Sequence, residues 1–411
     1  MFQNILYYKK CQSGKDHVRT LINKNSELTL TQIRKLISPS VRFELREIVV
    51  WVKEILNRAC LWRWEITRLP KRSDRKYEIV YAGRKSHQEF AKVLLGIDGN
   101  GNGDATQVVN DISRQTVLVS EAPIPGALKV PSFLRLIIPI EQKTIEVIMG
   151  DIEDKLRRII RNRRGGYHIQ QVLDRATLDR AIQELLEPYA SARHGASAAQ
   201  IAPAVIHEIA QNIGRLDLVL KEDEILGCIL GCAVTKAKKR YWSLMRCGYS
   251  EAVFSDSSRL REANAINFFL ALEWAINNGF DYYDMGTCLG RPEDGLFQWK
   301  KRWGGLADTM GNHSFYYVRL PRTGAAQFLW DVPLFSSEGK DLTLHLGLPD
   351  GKTDEDFSLR YREMNRGMGI GGLFKIYLHC TKLPSEKLIG ALSSHYAHQK
   401  SPPIVESIVS P

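Results

Sequence analysis

The sequence predicts an α/β chain, more closely of the α+β type, whose sheets are mixed and largely antiparallel. Three apolar segments, RLDLVL, EILGCILGCAV and RYWSLMRCGY, are separated only by the polar stretches KEDE and KAKK, which is typical of antiparallel strands joined by hairpin turns. The nearly continuous apolar stretch NAINFFLALEWAINNG then predicts a helix that covers a sheet and ends at Gly279. A strand in FDYYDMG follows this helix and runs into a turn.

The segments before these hairpins predict further strands and helices. An amphipathic helix is expected in VRFELREIVVWVKEIL, strands in WRWEITRL and KYEIVYAG, a helix in SHQEFAKVLLG, a loop in GNGNGD and buried strands in TVLVSEAP and RLIIPI. Next come a helix in IEDKLRRIIRNRRGG, a strand in YHIQQV and helices in TLDRAIQELLEPY and IAPAVIHEIAQNI. After the turn at FDYYDMG we expect a short helix in DGLFQWKKRWGG and a last strand in HSFYYVRL, and the remainder is mixed.

Composition and charge narrow the class of protein. The chain has 411 residues with 44% hydrophobic and 25% charged residues, which is typical of soluble globular proteins. We expect no integral membrane association, because no apolar run approaches the roughly 18 residues that span a bilayer. The beginning of the chain lacks the features of a signal peptide, and seven scattered cysteines predict reduced thiols. We therefore expect a cytoplasmic protein, and the net charge of +11 favours polyanionic partners such as tRNA, nucleotide phosphates or an anionic membrane face.

The predicted elements fall into four parts. Residues 1–57 form a basic helical N-terminal extension, 58–160 a first domain, 161–320 a second, catalytic domain, and 321–411 a C-terminal segment. The hairpins followed by a β-α-β crossover are typical of the acyl-CoA N-acyltransferase (GNAT) type of domain, and the first domain is interpreted as a degenerate copy of it.

The run Trp299-Lys300-Lys301-Arg302-Trp303-Gly304 resembles the aromatic-Lys-x-x-aromatic-Gly motif of the FemAB-type transferases and related GNAT-like acyltransferases, with tryptophan in place of both family phenylalanines. Two further stretches agree in kind and order. VPSFLRLIIPI followed by KLRRIIRNRRGGYHIQ resembles the family's domain junction, and LEWAINNGFDYYDMG resembles its buried helix and Asp-x-Gly strand end. The similarity covers roughly residues 130 to 320.

This resemblance implies two tandem GNAT-like domains that transfer an acyl or aminoacyl group to an amine and form an amide. The donor would be an acyl-CoA thioester or an aminoacyl-tRNA, used as a co-substrate, so no tightly bound cofactor and no metal are expected. The partners would be an amine acceptor, whose identity the sequence does not give, and tRNA as a candidate.

The resemblance implies that Lys300 supplies a positive charge at the reaction centre. Attack of an amine on an ester or thioester builds an oxyanion, which a fixed cation stabilises. We expect Trp303 to contribute to the substrate site, with Trp299 and Trp303 holding the stem of Lys300. The alternative is that the two tryptophans are core anchors while the cations extend to solvent.

Other residues are weaker candidates for the same site. Asp284, at the predicted strand end, would orient or deprotonate the amine, or would simply cap the turn. Six cations and no acid lie between Lys155 and Arg164, where Arg157, Arg158 and Arg161 would bind phosphate or form a solvated helix face. Arg193 and His194 fall where the family has acceptor-facing residues, although a histidine in a loop is more often on the surface.

Two glycine-rich stretches are rejected as sites. IDGNGNGDATQVVND places Asp98, Asn100, Asn102 and Asp104 at ligand positions of an EF-hand loop, but Val109 stands where the bidentate Glu is needed, so we expect no calcium binding. RGMGIGG matches nucleotide-binding patterns, but its glycines precede the strand LFKIYLHC instead of opening a helix. A chain without catalysis, in which the fold and the charge serve to bind nucleic acid or a membrane surface, is the alternative function.

Overall fold

The structure is a computed structural model, which describes residues 64–69, 77–97, 114–194, 201–309, 312, 314–365, 368–397, 399 and 401–409. The N-terminal extension, its amphipathic helix and the GNGNGD loop lie outside these residues.

The strands of the described residues alternate with helices along most of the chain. In chain order the strands are β1 (Trp64–Arg68), β2 (Glu78–Arg84), β3 (Thr116–Ser120), β4 (Leu128–Pro131), β5 (Phe133–Pro139), β6 (Tyr167–Gln171), β7 (Gly214–Lys221), β8 (Glu224–Lys236), β9 (Lys239–Tyr249), β10 (Tyr282–Leu289), β11 (Leu306–Asp308), β12 (Phe315–Arg319), β13 (Leu334–Glu338), β14 (Asp341–Leu348), β15 (Leu373–Cys380) and β16 (Ile404–Val409).

The helices, in the same order, are α1 (Lys85–Leu94), α2 (Ile145–Asp151), α3 (Asp154–Arg163), α4 (Arg175–Ala181), α5 (Glu187–His194), α6 (Pro203–Glu208), α7 (Glu251–Phe254), α8 (Ser257–Asn277), α9 (Gly295–Lys301), α10 (Ala325–Asp331), α11 (Asp354–Asn365) and α12 (Glu386–Ser394). Two π-helical turns, Ile182–Leu186 and Ile209–Ile213, continue α4 and α6. Of the helices in the described ranges, none is both long and apolar enough to cross a membrane.

The first of two compact units contains residues Ile138–Gly286. Strands β10, β9, β8, β7 and β6 lie side by side in that order. The pairings from β6 to β9 are antiparallel, so the two predicted hairpins are confirmed. The second hairpin turns at Ala237 and Lys238, which have φ values of 47° and 64°, as the right-handed twist of a two-residue hairpin requires. Helix α8 buries residues from Ala263 to Ala275, including Ile266 and Leu270.

The second unit is assembled from two chain segments, one that ends at Ile137 and one that begins at Thr287. One sheet has the strand order β1-β2-β3-β12-β4, a second has the order β13-β14-β15-β16, and β11 pairs with β5. The division does not coincide with the predicted boundaries at residues 160 and 320, because β12 follows the first unit in sequence yet pairs with β3 and β4, which precede it. The composition of the chain does not indicate that β12 returns to a sheet formed by earlier strands.

The segment after residue 321, predicted only as mixed, forms the four-stranded sheet of the second unit. Helix α10 lies directly on β14, because Gly347 has no side chain; a Cβ atom there would lie 1.9 Å from the carbonyl oxygen of Ala326. The opposite face of the sheet packs into a core that includes Leu344, Leu346 and Phe297. With this sheet, the predicted α/β class with mixed, largely antiparallel sheets is confirmed.

Candidate active site

Helix α9 contains the first three residues of the Trp-Lys-Lys-Arg-Trp-Gly motif, and the other three form the turn that follows it. Asp294 is the N-cap, and its carboxylate accepts a hydrogen bond of 2.8 Å from the main-chain N–H of Phe297. At the other end, Gly304 has a φ of +73° and donates its N–H to the carbonyl oxygen of Lys301 at 3.0 Å. Because this left-handed conformation disfavours residues with a Cβ atom, the glycine of the motif is required by the turn that ends the helix.

Helix α9 is anchored by buried aromatic side chains, of which Phe297 belongs to the core of the second unit. Phe297 is fully buried and meets Phe335 edge to face, with ring centroids 5.2 Å apart. Trp303 is also fully buried, whereas Trp299 is half-buried and packs edge to face on Trp303 at 5.9 Å. The two tryptophans therefore differ in burial, and Trp303 is the more deeply buried of the two.

Lys300 is buried, with 4% of its surface exposed. Its Nζ donates a hydrogen bond of 2.9 Å to the main-chain carbonyl oxygen of Thr287, in the last part of β10. The alternative in which the cations of the motif extend to solvent is wrong for Lys300 and for Lys301, because both side chains are buried. The ammonium group of Lys300 is thus a fixed charge in a region of low dielectric, where electrostatic interactions are strong.

The charge of Lys300 acts on two neighbouring ionisable groups. Burial raises the pKa of the Cys288 thiol to about 12, while the charge of Lys300 acts to lower it. Burial also raises the pKa of the Asp294 carboxyl, against the N–H of Phe297 and the charge of Lys300. The charge of Lys300 is therefore felt both at the end of β10 and at the start of α9.

Lys301, to which the sequence analysis assigned no separate role, is buried more deeply, with 2% of its surface exposed. Its Nζ donates to the carbonyl oxygens of Asn365 at 2.7 Å and Met368 at 3.0 Å, and lies 3.3 Å from Oδ1 of Asn365. The burial of two adjacent lysines was missed because a run of three cations is typical of a solvated helix face.

Asp284 lies in the first unit, within a strand and not at its end. The prediction of a strand end at Asp284 is wrong: β10 continues to Leu289, and Gly286, with a φ of +77°, lies inside it. The Asp284 carboxylate is fully buried and accepts hydrogen bonds of 2.8 Å from the Ser243 hydroxyl and from the N–H of Gly286. Asp284 therefore caps the backbone as the alternative expected, and it also binds β9.

The neighbouring strand β9 changes its pairing beside Asp284. The parallel register of β10 with β9 runs from Tyr282 to Asp284, where Asp284 lies opposite Ser243. Two residues later a β-bulge leaves Met245 without an opposite residue on β8. Bulges are frequent next to active sites because they redirect side chains. The half-buried Arg246 follows this bulge, and burial lowers the pKa of its guanidinium group. Sequence patterns did not single out Ser243 or Arg246. Both owe their place to the pairing of β9 with its neighbouring strands, which local sequence does not reveal.

The predicted phosphate-binding arginines lie on α3 of the first unit and differ in their surroundings. The guanidinium of Arg157 pairs with Asp154 and donates to the carbonyl oxygens of Met149 and Gly150, so it closes the junction between α2 and α3. Arg158 and Arg161 are exposed. Of the three, Arg158 and Arg161 are the ones presented to solvent on this helix.

Arg193 and His194 end helix α5 in the first unit. Arg193 donates from Nη1 to the hydroxyl of Tyr189 at 2.7 Å, and that tyrosine packs edge to face on Tyr249 of β9 at 5.0 Å. The side chain of His194 lies outside the described residues. Lys300, in the last turn of α9, and Trp303, just after its end, thus lie in the second unit, while Asp284, the α3 arginines and Arg193 occupy separate elements of the first.

Among the described residues, no group of three or more His, Cys, Asp or Glu side chains is arranged to hold a metal ion.

No family model matches the chain, and no curated protein matches its sequence. Among solved structures the chain is similar to FemX, at 13% identity and a TM-score of 0.35, with 65% of this chain and 90% of FemX covered. It is also similar to L-PGS from Bacillus licheniformis, at 14% identity and a TM-score of 0.32, with coverage of 69% and 94%. A GCN5-related N-acetyltransferase from Kribbella flavida gives 11% identity and a TM-score of 0.25, with coverage of 66% and 93%.

Proposed function

We propose that the chain is a transferase that moves an acyl or aminoacyl group from a thioester or an aminoacyl-tRNA to an amine and forms an amide. The observation that carries the proposal is the buried ammonium group of Lys300, held 2.9 Å from the Thr287 carbonyl oxygen within the motif that resembles FemAB-type transferases. Attack of the amine on the donor's carbonyl carbon places negative charge on the carbonyl oxygen. A cation that is already fixed and desolvated stabilises that charge without reorganising.

The nature of the donor depends on which groups are able to bind phosphate. In the stretch RGMGIGG, Gly372 has a structural role. It lies against the backbone of Ala307, and a Cβ atom on residue 372 would be 2.5 Å from the Ala307 carbonyl oxygen. The exposed Arg158 and Arg161 on α3 favour a donor with a phosphate backbone, because guanidinium groups bind phosphate oxygens in a bidentate way. We therefore place aminoacyl-tRNA first and an acyl-CoA thioester second.

The proposal is tested by offering both donors in parallel. Purified protein is incubated with coenzyme A thioesters of different acyl groups or with charged tRNA, together with a panel of amines, and products and complexes are identified by mass spectrometry. Amide formation that disappears with Lys300→Met supports the proposal. Binding of tRNA that is unaffected by Lys300→Met, with no amide from either donor, would instead support a basic binding protein that lacks catalysis.

A further inference from the structure

Lys301 leaves helix α9 in a direction different from that of Lys300, because neighbouring residues of an α-helix point apart by about 100°. Whereas Lys300 binds β10, Lys301 binds Asn365, at the end of α11, and Met368. Its hydrogen bonds to the carbonyl oxygens of Asn365 and Met368 are 2.7 and 3.0 Å long. The same Asn365 oxygen accepts the N–H of Met368 at 3.0 Å, so Asn365 and Met368 are bound to each other as well as to Lys301.

Packing alone does not account for a lysine at this position. Removing an ammonium group from water costs several kcal/mol, and Lys301 keeps hydrogen bonds to the carbonyl oxygens of Asn365 and Met368. The negative end of the α9 dipole offsets part of that cost, because Lys301 is in the last turn. A methionine would fill a similar volume without any buried charge. The hydrogen bonds of Lys301 therefore orient the end of α9, because hydrogen bonds are directional and the packing of a methyl group is not.

The chain beyond Met368 also binds the strand β11 that follows the motif. Gly371 accepts the N–H of Ala307 at 2.8 Å, and Ala307 lies in β11, directly after the Gly304–Gly305 pair. Gly369 lies against Tyr396, whose ring would be 3.0 Å from a Cβ atom at this position. The C-terminal part of the second unit thus holds the motif at Lys301 and again just after its glycines.

Helix α9 depends on such contacts for its position. It has seven residues, and isolated helices of this length are not stable in water. A rotation or shift of its last turn would move the Lys300 ammonium group off the Thr287 carbonyl oxygen.

We propose that Lys301 is a positioning residue, which fixes the end of α9 on Asn365 and Met368 and so holds Lys300 against Thr287. Its kinetic consequence rests on the proposed transferase function, whereas its geometric consequence does not. The segment after residue 321, whose role the sequence left open, is on this proposal a required part of the catalytic unit.

The geometric consequence is tested by trace labelling of amino groups with acetic anhydride. The labelling rate of Lys300 is measured relative to that of Lys382, whose side chain is 88% exposed, in the full chain and in Lys301→Met. We expect the ratio to rise several-fold in the variant, because Lys300 loses its fixed acceptor. If Lys301→Met does not fold, Lys301→Gln, which keeps an N–H donor, is measured in its place and should give an intermediate ratio. A ratio equal to that of the unchanged protein in a folded variant overturns the proposal.

The kinetic consequence is tested by a double-mutant cycle. Lys301→Met should lower kcat on the order of 10- to 10²-fold with little change in KM, as loss of alignment does, and Lys300→Met/Lys301→Met should lose no more than Lys300→Met alone. Additive losses would show that Lys301 does not act through Lys300. Arg302→Met, a half-exposed cation in the same turn, is the control. If the unchanged protein transfers from neither donor class, the proposed function fails, while the labelling ratio still decides the role of Lys301.

Discussion

Lys300 and Thr287 are joined by a hydrogen bond of 2.9 Å between the side-chain Nζ and the main-chain oxygen. The bond links the helix that carries the motif to the strand that precedes it, and it turns a flexible side chain into a charge with a defined position. Catalysis by a fixed charge requires this kind of arrangement before the substrate arrives.

Replacement of Lys300 by methionine should lower kcat/KM about 10²- to 10³-fold, because one preorganised electrostatic contact to the developing oxyanion is lost. The free energy of unfolding should change little, since removal of a buried charge offsets the lost hydrogen bond. Steady-state kinetics and urea denaturation of the same preparation measure both. Arg302→Met should leave turnover nearly intact. Equal losses for Lys300 and Arg302 would show that diffuse charge, and no single placed cation, is responsible.

Replacement of Trp303 by alanine should destabilise the protein by about 3–5 kcal/mol, because the ring is fully buried and the cavity would be only partly refilled. Trp299→Ala should cost clearly less, since Trp299 is half-buried. Urea denaturation monitored by circular dichroism compares the two variants. Equal losses would mean that the two rings share the anchoring role.

Exchange of Arg158 and Arg161 for glutamine should weaken binding of tRNA and flatten its dependence on salt. Each phosphate contact contributes about 0.7–0.9 to the slope of log K against log salt, so the slope should fall by about 1.5. Arg157→Gln should instead loosen the α2–α3 junction, because Arg157 binds the carbonyl oxygens of Met149 and Gly150. Filter binding over a salt series measures the slope, and an unchanged slope would identify α3 as a merely solvated helix.

The buried carboxylate of Glu121 should make the protein sensitive to strong acid. Burial acts to raise the pKa of Glu121, but hydrogen bonds and charge from His87 and Arg84 outweigh it and lower the pKa from 4.5 to about 2. The folded-state pKa lies below the unfolded one, so the stabilisation is complete above pH 4.5 and is lost as the pH falls toward 2. The loss amounts to about 3 kcal/mol. Unfolding free energies over this range should show it, and Glu121→Gln should abolish it.

A second loss of stability should begin at higher pH, at a pair of histidines in the C-terminal sheet. Nδ1 of His345 lies 3.0 Å from Nε2 of His379. Burial, together with the neighbouring His379, lowers the pKa of His345 to about 3, and burial lowers that of His379 to about 4. Both rings stay neutral in the folded protein while the unfolded chain takes up protons below about pH 6.5. Stability should therefore fall between pH 6.5 and about 4, by up to about 1.4 kcal/mol per pH unit for each ring. His379→Gln should reduce the slope, and an equal slope in that variant would contradict the assignment.

Local sequence patterns predicted the elements whose periodicity is strong. The hairpins of β7, β8 and β9 and the helix α8 follow from runs of apolar residues and from the polar turns between them. The short elements β4 and β11 were missed, because each depends on a partner strand distant in sequence, as Leu306 does on Ile137.

The sequence was sufficient to find the motif of the candidate site, but not the residues that contact it. The resemblance singled out Lys300 and Trp303, and the turn at Gly304 explains the glycine of the motif. No local pattern distinguishes Lys301 from Arg302, because the burial of Lys301 is set by Asn365 and Met368, more than sixty residues later. Asp284 was placed at a strand end because Gly286 suggested a turn, whereas glycine with a positive φ also occurs inside strands at bulges.

The division of the second unit between two chain segments has a consequence for how the protein is made. Ile138–Gly286 is contiguous in sequence, and its strands β6 to β9 pair with one another, so they are synthesised together. Strands β2, β3 and β4 are synthesised before this segment, yet β12, which joins β3 to β4, leaves the ribosome only after it. Until then the edges of β3 and β4 lack their partner, and unpaired strand edges of this kind invite association between nascent chains. The order of synthesis therefore makes the earliest strands the last to be completed, and chaperone demand should be greatest during that interval.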